Sequence, residues 1–183
     1  SRLREFTPQN LANTAWAFAT AGVDAPRLFA AIADTALSRL REFTSQNLAN
    51  TAWAFATAGI LATAGVDAPR LFAAIAERRA STRLEAARPR LRDFDPQNIA
   101  NTVWAFARAG VDAPRVFAAI ADAAPSKLHQ FNPQALAITA WAFAKMSVDA
   151  PQLFDAIADA ALSRLRDFNP QALANTAWAF ATA

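Results

Sequence analysis

Cysteine and tyrosine are absent from this chain, and 183 residues include one histidine, one methionine and four glycines. Without cysteine there is neither a disulfide nor a thiolate zinc site, a composition that suits a reducing compartment. The single histidine, His129, lies in Lys127-Leu128-His129-Gln130-Phe131 with no second ligand at metal-binding spacing. The glycines are scattered at expected helix ends and form no phosphate-cradling loop. No uninterrupted apolar run reaches membrane-spanning length, so no membrane insertion is expected. Ser1 already falls inside a repeated pattern, so no signal or transit segment is read within the chain itself, and removal of one ahead of it stays open. Asp34, Glu77, Asp122 and Asp159 recur in one slot. Translation by one repeat holds such groups about 10 Å apart, too far for an ordinary acid–base pair. These absences leave no catalytic residue, metal or cofactor to expect.

What is present is repetition. Trp16, Trp53, Trp104, Trp141 and Trp178 are separated by 37, 51, 37 and 37 residues. A period in this range belongs to helical units that bury their apolar faces only by stacking on their neighbours. Five tryptophans and fourteen phenylalanines give such a stack ample packing material. The expected fold is all-α: an alpha-alpha superhelix, or solenoid, of antiparallel helical hairpins. Residues 1–183 read as one array with units at about 6–42, 43–93, 94–130, 131–167 and a truncated 168–183. The long second unit carries insertions at 60–65 and within 77–92. The array is expected to continue beyond the sequence or to have its ends covered.

Each unit states its own helix boundaries. Thr7, Thr44, Asp95, Asn132 and Asn169 are N-cap residues in one slot, followed by proline in every unit except at Ser45. Leu11, Ala15, Phe18 and Ala19 trace an apolar stripe at i, i+4, i+7 and i+8. Gly22, Gly59 and Gly110 end the first helix, with Ser147 in the same place in the fourth unit. A second helix is expected from Asp24-Ala25-Pro26, capped by Asp24 and burying Phe29, Ile32, Ala33 and Ala36. Alanine elsewhere allows close helix approach, with aromatic pairs such as Trp16 and Phe18 supplying bulk between the layers.

The first helix also carries a polar stripe. Asn13, Trp16 and Thr20 occupy successive turns on one side, with Gln9, Asn10 and Thr14 nearby. Asn13 recurs as Asn50, Asn101 and Asn175 but becomes Ile138; Asn10 recurs as Asn47 and Asn98 but becomes Ala135 and Ala172. Amides in such rows either satisfy the stack internally or meet the edges of nucleic-acid bases. The Thr20 slot turns basic at Arg108 and Lys145. Sixteen of the eighteen basic residues are arginine, against a net charge of only +3. Arg39, Arg41, Arg90, Arg92, Arg164 and Arg166 recur just before first helices, and Arg78, Arg79, Arg83 and Arg88 thicken the patch around the second insertion. Arginine stripes suit a phosphate backbone. They equally suit a solvated face.

The phrase Pro-Gln-Asn-Leu-Ala-Asn-Thr-Ala-Trp-Ala-Phe-Ala at 8–19, echoed at 45–56, 96–107, 133–144 and 170–181, resembles the first helix of octotricopeptide repeats. It is also similar to the repeat region of RAP-domain and FAST-kinase-like organellar proteins. The resemblance implies a curved array whose first helices meet single-stranded RNA, in organellar RNA processing, stabilisation or translation, within a mitochondrion or chloroplast. It implies RNA contacts at Asn10, Asn13, Asn47, Asn50, Asn98, Asn101 and Asn175. Some relatives are structural parts of organellar ribosomes, so a scaffold with protein partners at the array ends is the alternative expectation.

Overall fold

The computed structural model describes residues 2–59, 66–81 and 95–183, the side chains of 78–81 excepted. The expectations placed on the two insertions, and on Arg78, Arg79, Arg83, Arg88, Arg90 and Arg92, lie outside the described residues or side chains.

The described residues form stacked antiparallel helical hairpins, without strands. The first helices are α1 (Pro8–Thr20), α3 (Ser45–Thr57), α5 (Pro96–Ala109), α7 (Pro133–Lys145) and α9 (Pro170–Thr182). The second helices are α2 (Pro26–Ser38), α4 (Ala68–Ser81), α6 (Pro114–Ala123) and α8 (Pro151–Leu162). Short 3-10 turns at Leu40–Glu42, Pro125–Gln130 and Leu165–Asp167 join one hairpin to the next.

The five expected caps are formed. Thr7 and Thr44 hydroxyls accept the backbone N–H of Asn10 and Asn47, each at 3.2 Å. Asp95, Asn132 and Asn169 accept from Gln97, Ala135 and Ala172 at 2.7–2.8 Å. At the other end, Gly22, Gly59 and Gly110 adopt φ of 64–66°, where a side chain is disfavoured. Ser147 takes the same left-handed conformation at φ 51°. The expected role of Asp24 is corrected: α2 begins after Ala25, whose backbone carbonyl accepts from Leu28 and Phe29, with no side-chain cap. Ala113 and Ala150 take the same place before α6 and α8. Proline at the first position already lacks one of the donors a cap would satisfy.

The two layers pack unequally. Each first helix lies closely against the next, from α1 to α3, α5, α7 and α9. Fully buried Ala12, Ala15, Ala52, Ala54, Ala105, Ala140 and Ala142 permit this approach. Second helices meet one another far more sparsely. A two-layer stack with one tighter layer bends toward that layer, so the first helices line the concave side.

Phenylalanine fills the space between layers. Phe55, Phe106 and Phe143 are fully buried, and each meets a second-helix phenylalanine edge to face: Phe29, Phe72 and Phe117 respectively, with ring centroids 5.0–5.2 Å apart. Tryptophan behaves differently, and its expected role as interlayer bulk is corrected. Trp16 is 47% exposed, and Trp53, Trp104 and Trp141 are half-buried at the margin of the core. Two residues along a helix rotate by roughly 200°, so Trp16 and Phe18 cannot share a face.

Candidate functional site

One groove runs along the first-helix layer and draws on every unit. Its lining includes Trp16 and Thr20 of α1, Asn50 and Trp53 of α3, and Gln97, Asn101 and Trp104 of α5. It continues over Gln134, Ala137 and Ile138 of α7 to Gln171, Ala172 and Asn175 of α9, with the cap residue Asn169 at its margin. Its volume is about 470 Å³. The helical spacing i, i+4, i+7, i+11 that links Gln9, Asn13, Trp16 and Thr20 repeats in each unit, so stacking turns one stripe into parallel rows.

The indoles form a ladder along these rows in two runs, Trp16–Trp53–Trp104 and Trp141–Trp178. Ring centroids lie 6.2 Å apart for Trp16–Trp53, 6.0 Å for Trp53–Trp104 and 6.5 Å for Trp141–Trp178, with interplanar angles of 29–38°. Beside them the Asn13-type amides face the groove at Asn50, Asn101 and Asn175, while Asn13 is exposed on α1. Ile138 interrupts that row with a half-buried apolar side chain.

The sequence places Gln9 beside the polar stripe, but its recurrence as a second amide row was missed by sequence reasoning. Gln9, Gln46, Gln97, Gln134 and Gln171 fill the same slot in all five units, and all are exposed. Three of them line the groove. Their unbroken recurrence, where both asparagine rows fail in the fourth unit, was the signal available in the sequence.

The Asn10-type positions point elsewhere. Asn47 is 8% exposed, and its Oδ1 accepts the Thr44 backbone N–H at 3.1 Å, closing a capping box. Asn98 is half-buried, Ala135 and Ala172 are buried, and Asn10 on the first helix is exposed. Of this row only Ala172 borders the groove. Within the array the slot faces the preceding helix, where a small or capping side chain is accommodated. The threonine row is also internal: Thr102 and Thr176 hydroxyls donate to carbonyls one turn back at 2.6 and 2.8 Å. The buried hydroxyls of Thr51 and Thr139 have no hydrogen-bond partner.

The junction arginines divide into two kinds. Arg39 donates through Nη1 to the carbonyls of Phe6 at 2.8 Å and Arg4 at 3.2 Å, and pairs with Glu42. Arg164 donates to the Phe131 carbonyl at 2.7 Å, with Asp167 at 3.6 Å. Both therefore tie the end of one hairpin to the start of the same unit's first helix, 33 residues back. The hydrogen bond from Arg39 holds the Glu42 carboxyl below its ordinary range, and Glu42 in turn raises the guanidinium. A carboxyl lowered on folding contributes stability above its unfolded pKa and loses it as pH falls through the folded value. Arg41 and Arg166, by contrast, are exposed, as are Arg108 and Lys145 in the last turns of α5 and α7. Arg164→Gln is expected to lower stability by about 1 kcal/mol, or about 2–4 °C in Tm. Arg166→Gln should leave Tm unchanged in the same calorimetric comparison.

Among the described residues there is no group of three or more His, Asp or Glu side chains placed to hold a metal ion. Among the same residues no helix is long and apolar enough to cross a membrane. A comparison with protein families matches residues 63–183, two thirds of the chain, to the family described as RNA-editing substrate-binding complex 6 protein. A comparison with curated proteins finds no match.

Proposed function

The chain belongs to the RNA-editing substrate-binding complex 6 protein family, and from that premise we propose that it is a noncatalytic, single-stranded-RNA-binding solenoid. The observation that carries the reading is the groove: one continuous concave surface to which all five first helices contribute, with amides at repeated intervals. Amide side chains pair donors and acceptors in the geometry of base edges. An extended strand can follow such a surface unit by unit, whereas a duplex presents its bases inward. Asn50, Asn101 and Asn175 are the proposed base contacts within the groove, with Asn13 on the same row. Arg41, Arg108, Lys145 and Arg166 are proposed to meet phosphates. Asn47, Arg39 and Arg164 are left out because their polar atoms serve the fold.

The likeness of the first-helix phrase to octotricopeptide repeats supports the finer reading: work on organellar RNA as part of processing, stabilisation or translation. The family description, which names a complex, supports protein partners as well. Exposed Leu173, Trp178 and Phe180 on α9 offer an apolar surface for one. Fluorescence anisotropy with a labelled random single-stranded RNA library at low salt tests the proposal. Saturable binding that a single-stranded competitor displaces and a duplex competitor does not is expected. No binding at low salt would remove RNA as the ligand.

A further inference from the structure

The groove floor carries no charged side chain: its described lining is indole, carboxamide, hydroxyl and aliphatic. That composition decides how a strand would lie. A phosphate pressed onto this floor would lose water without meeting a cation, which is costly. A base brings a π face for the indoles and donor–acceptor edges for Asn50, Gln97, Asn101, Gln134, Gln171 and Asn175. We propose that the groove binds RNA with its bases inward against the tryptophan ladder and its phosphates outward. This orientation rests on the RNA-binding reading given above, and it assigns Trp16, Trp53 and Trp104, with the glutamine row, as ligand-contacting residues.

The ring geometry restricts the mode. Trp16, Trp53 and Trp104 already touch in sequence at 6.0–6.2 Å between centroids, so a base does not slot between these three. It stacks on the surface the ladder leaves open, of which Trp16 at 47% exposure is the largest portion within the groove. Stacking of this kind tolerates any base, because every base has a π face. Cations stand one turn beyond the indoles: Arg108 follows Trp104 by four residues, and Lys145 follows Trp141 by four. In the other units that slot is Thr20, Thr57 and Thr182. Phosphates leaving the groove on this side meet these two charges, and Arg41 and Arg166 are the other proposed phosphate contacts. Four neutralised phosphates give a salt slope, log Kd against log salt, of about 2.8 in magnitude for a single strand.

Abasic RNA provides the test, because it keeps every phosphate and lacks the bases. Binding of a single-stranded oligoribonucleotide and of its abasic counterpart is compared by anisotropy in the intact chain and in Trp104→Leu. The expected result is a loss of about tenfold or more for the abasic strand in the intact chain. The ratio should narrow in Trp104→Leu without reaching unity, because the amides and the other indoles remain, with helicity by circular dichroism retained. Equal binding of both strands by the intact chain would overturn the base-inward orientation while leaving RNA binding standing. A ratio unchanged in Trp104→Leu would remove the indole ladder from the site. Binding of neither strand would overturn the RNA reading, and this orientation with it.

Discussion

Phe106→Ala should destabilise the protein by about 3–5 kcal/mol, the cost of deleting a fully buried aromatic ring and leaving a cavity. Phe106 is fully buried and contacts Phe72 edge to face at 5.2 Å, so its loss uncouples α5 from the second-helix layer at the middle unit of the array. In a stack where each hairpin leans only on its neighbours, a break at the centre leaves two short halves. Chemical denaturation should show the midpoint falling, or the single transition separating into two. Trp104→Ala, two residues earlier, should cost markedly less, because Trp104 is half-buried and packs at the core's margin. Equal losses at the two positions would mean that tryptophan, too, is interlayer bulk.

Replacing Asn50 and Asn101 with alanine should weaken RNA binding by about tenfold each, since a well-placed amide–base pair is worth about 1–3 kcal/mol and 1.4 kcal/mol is a factor of ten. Both amides line the groove, on adjacent helices with the Trp53–Trp104 pair beside them. Asn47→Ala is the contrasting substitution. It breaks a capping box and should lower stability by about 0.5–1 kcal/mol while leaving affinity unchanged. Anisotropy titrations and thermal melts on the three variants separate the two roles. Affinity lost at Asn47 and kept at Asn50 and Asn101 would place the strand outside the groove.

The division between these residues shows how far the sequence could be read. Helix starts and stops were legible because a cap or a left-handed glycine acts locally: Thr7, Asn132 and Gly110 do what their residue types dictate. Asp24 shows the limit even there, since a one-residue shift in the helix start moved the cap onto Ala25. The apolar stripe of Leu11, Ala15 and Ala19 was legible from period alone. Which side of the polar stripe the next hairpin covers was not. Asn10 and Asn13 differ by three residues, about 60° around the helix axis, and only the stacking direction puts the first type against a neighbour and the second in the groove. The arginines could not be told apart for the same reason. Arg39 and Arg41 are two residues apart in one basic phrase, yet Arg39 reaches a carbonyl 33 residues back and Arg41 stays exposed. Nothing local in the sequence encodes that reach.

Intrinsic tryptophan emission gives the most direct test of where RNA binds. All five tryptophans of the chain occupy the same slot on the first-helix layer, and there is no tyrosine to contribute. Titration with single-stranded RNA should change that emission in step with anisotropy, and the change should shrink in Trp53→Leu and Trp104→Leu. Saturable RNA binding by anisotropy with emission unmoved throughout would mean that the strand lies elsewhere on the protein, and the groove is not its site.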